Sequence, residues 1–267
     1  MSATTTLFPK AVIFDAYGTL FDVHSVVAAA EQMFPGHGDA LSQLWRQKQI
    51  EYTQLRTAAD PAGAYYEPFW NITLDALRFS ARKLGLALNA AGEKRLMDEY
   101  ACLSAFPDAV PALKALKARR PKHNGSDPIG LAILSNGNPQ MLDIAVKSAG
   151  MSGLFDHVLS VDAVRAFKPA PATYALGTAA FGAAAREIVF VSSNGWDASG
   201  ANWFGYTVFW LNRQRAPAEE LGVTPHGTGT SMSDLLTFIE DPSSFGKAEK
   251  REKSPPKRSR ARHSPGA

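Results

Sequence analysis

The chain has 267 residues, of which 45% are hydrophobic and 20% charged, with a formal net charge of +3. This composition allows a sizeable apolar core and excludes a chain that is disordered throughout. Residues 247–267 carry eight Lys/Arg against two Glu, a net charge of +6, so the preceding residues sum to −3. A mildly acidic body with a basic tail is not the charge distribution of a nucleic-acid-binding fold.

The first predicted element is a buried strand at 12–14, because Val12-Ile13-Phe14 is a continuous apolar run. Asp15 follows directly, where a carboxylate is costly to bury without a partner or a task. Gly18 permits a sharp turn, and Thr19 can hydrogen-bond the Asp or the turn. From this segment alone, an Asp that only caps a turn remains an alternative.

A helical block comes next in the chain. Apolar residues at spacings of three or four predict helices at 40–56, 69–84 and 91–104. The block separates the first strand from the remaining strand patterns. We interpret 22–100 as an inserted helical cap domain.

Strand and helix patterns then alternate. Strands are predicted at 131–134, 158–160, 188–191 and 207–211, and helices at 107–118, 139–149, 171–181 and 231–239. This alternation favours an α/β fold with a doubly wound, mostly parallel sheet, built from 8–21 plus 101–240. A polar loop at 119–128 and a basic tail at 243–267, expected to be disordered, stand apart.

The cysteine content and the N-terminus bear on location. Cys102 is the only cysteine, which excludes an internal disulfide, and we expect a buried, unreactive thiol. The N-terminus lacks the basic start and apolar stretch of a secretory signal, and no run reaches membrane-spanning length. We expect a cytoplasmic protein with neither membrane nor nucleic acid as partner.

Polar side chains recur where the predicted strands end, which is where open parallel sheets bind ligands. Ser135 and Asn136 follow the second strand, and Lys168 precedes a proline-rich helix start. The polar segment 192–197 follows the strand at 188–191 and has the composition of a site loop. Alone, each has an ordinary alternative, such as a capped turn or a solvated lysine. Together with Asp15 they predict one site at the carboxyl edge of the sheet.

These segments resemble the four motifs of the haloacid dehalogenase (HAD) superfamily, whose first motif is an Asp nucleophile that ends strand one. The matching segments are Asp15-Ala16-Tyr17-Gly18-Thr19, Ser135-Asn136, Lys168-Pro169 and Ser192-Ser193-Asn194-Gly195-Trp196-Asp197. The resemblance covers about residues 8–240. It implies a HAD-like Rossmannoid core with an inserted cap.

The second residue after Asp15 selects the branch of the superfamily. Phosphatases carry a second Asp there, which serves the leaving oxygen and helps to bind magnesium, whereas this chain has Tyr17. A halide needs no proton to leave, and Mg²⁺ requires several oxygen ligands. Tyr17, Arg46 and the Ser-Asn pair therefore resemble the L-2-haloacid dehalogenase family, which implies an enzyme with no metal and no cofactor.

The resemblance also implies the reaction. Asp15 would displace halide from the α-carbon of an L-2-haloalkanoic acid with inversion, and water would hydrolyse the resulting ester to a D-2-hydroxy acid. The implied catalytic residues are Asp15, Thr19, Lys168, Ser192, Asn194 and Asp197. The implied substrate-binding residues are Ser135 for the carboxylate, Arg46 and Asn136 for the halide, and Tyr17, Gln47, Ile50 and Trp196 for an apolar wall. Tyr174 is also implied, and it orients Lys168 or the backbone, or only packs its helix.

Two alternatives remain at this point. A magnesium-dependent phosphatase of the same fold is opposed by Tyr17. A non-catalytic interaction protein would not need Asp15, Lys168, Asp197 and Arg46 together. The resemblance further implies a homodimer whose small-molecule partners are a 2-haloalkanoic acid and halide.

Overall fold

The computed structural model describes residues 9–119 and 128–241. The predicted tail at 243–267 lies outside these residues, as does the polar loop at 119–128 apart from its two end residues. The described elements, in chain order, are β1 (Ala11–Phe14), α1 (Val27–Met33), α2 (Gly38–Ala59), α3 (Phe69–Lys83), α4 (Ala90–Ala101), α5 (Ala109–Ala118), β2 (Gly130–Ser135), α6 (Pro139–Ser148), β3 (His157–Ser160), α7 (Pro171–Phe181), β4 (Ile188–Ser192), α8 (Gly195–Phe204), β5 (Thr207–Leu211), β6 (Gly227–Gly229) and α9 (Met232–Glu240).

The strands form one six-stranded sheet in the order β3-β2-β1-β4-β5-β6, and every pair is parallel. This is the doubly wound order, in which successive strands are added first on one side of β1 and then on the other. Phe14, the last residue of β1, pairs with Ile133 of β2 and Val191 of β4. The predicted α/β fold with a doubly wound parallel sheet is confirmed.

The residues of β1 alternate between two apolar layers, because successive side chains of a strand point to opposite faces. Val12 and Phe14 join the layer that contains α5, α6 and α9. Ala11 and Ile13 join the layer that contains α7 and α8. All four side chains are buried, and burial of one such large apolar side chain stabilises the fold by about 1.5–3 kcal/mol.

The helical block consists of α1 to α4, which pack on one another and which contact α6 of the core through α4. Trp45 of α2 and Phe69 of α3 belong to the same apolar cluster as Phe14 of β1. The helical block and the sheet therefore share one continuous core. The proposed domain limits, 22–100 for the cap and 8–21 plus 101–240 for the core, remain a prediction.

Three elements were not predicted from the sequence: α1, α8 and β6. Helix α8 is made largely of small and polar residues without an apolar stripe, and β6 has only three residues, two of them glycine. As a result Asp197 lies in the first turn of a helix and not in a loop. The predicted burial of Cys102 is also wrong, since this residue follows the end of α4 and is exposed.

Candidate active site

The site lies at the carboxyl ends of β1, β2 and β4. Asp15 follows β1, Ser135 and Ser192 end the two neighbouring strands, and α8 begins just after β4. Because the direction of strand addition reverses between β1 and β4, the loops that follow them separate and leave a crevice. Gly18 turns the chain after β1 with φ of 93°, a conformation that favours glycine.

The carboxylate of Asp15 is buried and accepts three hydrogen bonds from side chains. Its Oδ2 accepts from Thr19 Oγ1 at 2.9 Å and from Asn194 Nδ2 at 2.8 Å. Its Oδ1 accepts from Lys168 Nζ at 2.7 Å. The Thr19 hydroxyl oxygen in turn accepts from the backbone N–H of Ser193 at 2.8 Å. These contacts fix the orientation of the carboxylate before any substrate is bound.

Lys168 connects the two buried acids. Its ammonium donates to Asp15 Oδ1 and Asp197 Oδ2 at 2.7 Å each and to the Leu134 carbonyl at 3.2 Å. The exposed fractions of Lys168, Asp15 and Asp197 are 1%, 5% and 0%. Burial acts to lower the pKa of Lys168, but the two carboxylates outweigh it and the pKa is raised. The ammonium therefore stays charged at neutral pH.

Asp197 has a second fixed partner. The Tyr174 hydroxyl donates to Asp197 Oδ1 at 2.7 Å. Burial and the charge of Asp15 raise the pKa of Asp197, while Lys168 and the Tyr174 hydrogen bond act in the opposite direction. Burial next to Asp197 also raises the pKa of Tyr174, so this hydroxyl remains a neutral donor. The structure thus brings Tyr174 to Asp197, whereas Lys168 is held by the acids themselves.

Arg46 reaches the site from α2 in the helical block. Its Nη2 donates to the Tyr17 carbonyl at 3.1 Å and to Asn194 Oδ1 at 3.3 Å. Asn194 therefore lies between the guanidinium and Asp15. A cavity of about 500 Å³ is lined by Arg46, Asn194 and Ile50 among others. Arg46 and Ile50 are thus brought to the site as predicted.

The Tyr17 side chain forms a buried wall. Its ring stacks on Tyr100 at 5.8 Å and lies 5.6 Å from Phe69, measured between centroids. Burial, and then the neighbouring Tyr100, raise the pKa of Tyr17 well above its ordinary value. The hydroxyl is therefore neutral, and Tyr17 provides an apolar surface and no anionic ligand for a cation.

The other predicted polar residues bind the backbone of the site loops. The side-chain oxygens of Ser135, Asn136 and Ser192 accept from the N–H groups of Gly137, Lys168 and Asn194 at 3.0, 3.0 and 3.2 Å. Since each serine oxygen only accepts in these bonds, its hydroxyl hydrogen is left to donate.

Gln47 and Trp196 make no hydrogen bond to these groups in the part of the chain that the structure describes. Gln47 is exposed and lines a shallow groove with Ile50, Glu51 and Gln54. It follows Arg46 directly, so it points about 100° away around the helix. Trp196 is half-buried on α8, and its buried Nε1 has no hydrogen-bond partner among the described residues.

Three residues lie near the site although the sequence did not predict them as site residues. Gln49 accepts a hydrogen bond from Arg46 Nη1 at 2.6 Å. A Cβ at Gly137 would lie 2.8 Å from Tyr17 Cε2, so only glycine leaves room for that ring. Arg213 donates to the Thr19 carbonyl at 3.3 Å and pairs with Asp108. Only three-dimensional contacts reveal these roles, and no local pattern marks them.

Comparisons with known proteins agree with this geometry. The family model of haloacid dehalogenase-like hydrolases matches residues 9–205. The (S)-2-haloacid dehalogenase of Pseudomonas sp. (strain YL) is 46% identical over 241 residues, which cover 90% of this chain and 98% of that protein.

Two solved structures are similar along most of the chain. The L-2-haloacid dehalogenase RSc1362 superposes with a TM-score of 0.82 at 60% identity, covering 86% of this chain and 97% of its own. The L-2-haloacid dehalogenase of Xanthobacter autotrophicus, with chloropropionic acid covalently bound, gives a TM-score of 0.76 at 37% identity, with 86% and 98% covered. The chain therefore belongs to the haloacid dehalogenase-like hydrolases and, within them, to the L-2-haloacid dehalogenase family.

Proposed function

We infer that this protein is an (S)-2-haloacid dehalogenase, which hydrolyses L-2-haloalkanoic acids to D-2-hydroxy acids and halide. The observation that carries the proposal is the buried Asp15 carboxylate, held by Lys168, Thr19 and Asn194 next to the guanidinium of Arg46. A carboxylate that is fixed in this way can act as a nucleophile. The relatives with this name support the same reaction.

In the first step a carboxylate oxygen of Asp15 attacks the α-carbon from the side opposite the halogen. A carbon–oxygen bond forms, the carbon–halogen bond breaks, and the halide leaves with the bonding electrons. Inversion at the carbon follows from this geometry. Arg46 would stabilise the departing halide with its positive charge, and the Asn136 amide would assist. The covalently bound chloropropionic acid of the Xanthobacter autotrophicus protein supports an ester intermediate.

In the second step water attacks the ester carbonyl of Asp15 and releases the 2-hydroxy acid. We assign Asp197 to position and deprotonate this water, helped by Asn194 and Ser192. The Lys168 ammonium would stabilise negative charge as it develops on the ester oxygen, because it already donates to Asp15 Oδ1. This step restores the Asp15 carboxylate. The proton that Asp197 took from the water is then lost to solvent.

Substrate binding is assigned to the remaining groups. The Ser135 hydroxyl hydrogen, free to donate, would bind the substrate carboxylate, and Tyr17 and Ile50 would form the apolar wall around the α-carbon. Gln47 and Trp196 stay assigned to this wall by the family resemblance.

A magnesium-dependent phosphatase is not favoured. Tyr17 occupies the place of the second acid, and Asp15 and Asp197 are both bound by Lys168. Within residues 9–119 and 128–241, no group of three or more His, Cys, Asp or Glu side chains could hold a metal ion. A non-catalytic protein is not favoured either, because the charged groups required for the reaction are assembled.

We also propose that the enzyme acts as a homodimer in the cytoplasm, as the family resemblance implies. Leu55 and Tyr65 of the helical block, each 58% exposed, provide apolar surface for such a contact. Light scattering that shows only monomers at working concentration would reject the dimer. In the described part of the chain, no helix is long and apolar enough to cross a membrane.

The first prediction concerns the reaction itself. The protein should release chloride from L-2-chloropropionate at an undiminished rate in EDTA, because the assigned steps use only side chains. Halide release is measured for both enantiomers, with p-nitrophenyl phosphate plus Mg²⁺ as the comparison substrate. Turnover of the phosphate ester alone, and only with Mg²⁺, would identify the phosphatase.

The second prediction concerns the covalent intermediate. In a single turnover in ¹⁸O-labelled water, the label should enter the Asp15 carboxylate, because water attacks the ester carbonyl and not the α-carbon. Mass spectrometry of the peptide that contains Asp15 gives the measurement. Label found only in the first-turnover hydroxy acid would show direct attack by water.

The third prediction concerns pH. Asp197 must be ionised to activate water, so kcat should fall on the acid side as this carboxyl is protonated. The Tyr174 hydrogen bond lowers the pKa of Asp197, so Tyr174→Phe should move the acid limb to higher pH by about one unit. Tyr206→Phe serves as the control, because the Tyr206 hydroxyl binds the Tyr174 backbone carbonyl and should leave the limb in place. If the acid limb of the kcat pH profile of Tyr174→Phe stayed in place or moved to lower pH, the role of Asp197 would be contradicted.

A further inference from the structure

Gln49 is a fully buried polar residue that the proposed reaction does not use. It lies on α2, three residues after Arg46, on the side of the helix that faces α3 and α4. Its Oε1 accepts from Arg46 Nη1 at 2.6 Å and from the Tyr100 hydroxyl at 3.1 Å. Its Nε2 donates to Thr73 Oγ1 at 2.7 Å.

The orientation of this amide is determined by its surroundings. The Thr73 hydroxyl donates its one hydrogen to the Phe69 carbonyl at 2.7 Å. Thr73 Oγ1 can therefore only accept from Gln49, which requires the NH₂ end of the amide on that side. The oxygen end consequently faces Arg46 and Tyr100, two groups that can donate. A flipped amide would place its N–H groups against the N–H groups of Arg46, and its oxygen against a Thr73 hydroxyl whose hydrogen is already donated. The contacts therefore agree on one orientation.

We infer that Gln49 is a positioning residue that holds the Arg46 guanidinium for the halide. Nη1 is bound to Gln49, and Nη2 then points to Asn194 and the Tyr17 carbonyl next to Asp15. A free arginine side chain samples many rotamers, and a buried acceptor on one nitrogen restricts that freedom. The inference rests on the proposed function, because it concerns the halide that Asp15 displaces.

A neutral amide suits this position better than a carboxylate. Glutamate at 49 would also bind the guanidinium, but its negative charge would offset the positive charge that the halide requires. Glutamate would also lack the N–H group that donates to Thr73 Oγ1. Glutamine therefore fixes Arg46 and leaves its charge available to an anion.

The test compares wild type with Gln49→Met, Arg46→Ala and the double variant. Methionine is nearly as long as glutamine but is a poor acceptor. For L-2-chloropropionate, kcat should fall about 10- to 100-fold in Gln49→Met, with KM little changed. The loss should be smaller for L-2-bromopropionate, since bromide needs less stabilisation as it leaves. The double variant should be no slower than Arg46→Ala, because Gln49 acts through Arg46.

Thr73→Val is the matched control. It removes the acceptor at the far end of the same amide, while Arg46 and Tyr100 still donate to Gln49 Oε1 and hold that end in place. Its melting temperature should fall, while its ratio of bromide to chloride turnover stays at the wild-type value. A merely structural role for Gln49 would make Gln49→Met resemble this control, and its losses would add to those of Arg46→Ala. Either result would overturn the inference.

A second variant, Gln49→Glu, tests the inference if Gln49→Met does not fold. Gln49→Glu keeps the size of the side chain and an oxygen towards Arg46, and it should turn over slowly with an increased preference for the bromo substrate. Wild-type turnover and wild-type preference in Gln49→Glu would overturn the inference. Failure of the proposed function itself is distinguishable, because the wild type would then release halide from neither substrate.

Discussion

The structure depends on one buried ammonium between two buried carboxylates. Lys168 bridges Asp15 and Asp197 at 2.7 Å on each side, and the group carries a net charge of −1 in the interior. Removing one partner of a buried ion pair is far more harmful than exchanging the whole pair for apolar residues. The three side chains therefore form a unit, in which the Lys168 ammonium holds both carboxylates at once.

The second constraint is that the site is assembled from two parts of the chain. The sheet supplies the acids and Lys168, whereas the helical block supplies Arg46 and, behind it, Gln49. Both parts are joined by the aromatic contacts of Tyr17 with Phe69 and Tyr100. The three rings are buried, and Arg46 donates to the backbone carbonyl of Tyr17, so this contact also sets where the guanidinium lies relative to Asp15. The packing of the block thus bears directly on the chemistry.

Sequence alone predicted the sheet and most of the acid-base groups, because parallel topology brings the residues after each strand together. Asp15 comes directly after β1 and Asp197 lies in the first turn of the helix after β4, whereas Lys168 lies well beyond the end of β3. Sequence alone could not predict Gln49 or Arg213, whose roles consist of contacts with residues 3 to 194 positions away. Gln47 was assigned by resemblance, and in the structure it is exposed and lines a shallow groove that Ile50 shares. Helix α8 was missed because its small residues carry no apolar period.

The core that the helical block shares with the sheet limits how this family can vary. Trp45 and Phe69 pack in the same cluster as Phe14. The apolar core is therefore continuous between the helical block and the sheet. Because Tyr17 packs on Phe69 and Tyr100, a block grafted from a distant relative would have to match the ring that follows β1. A change of a single side chain that lines the cavity, such as Ile50, does not involve these contacts.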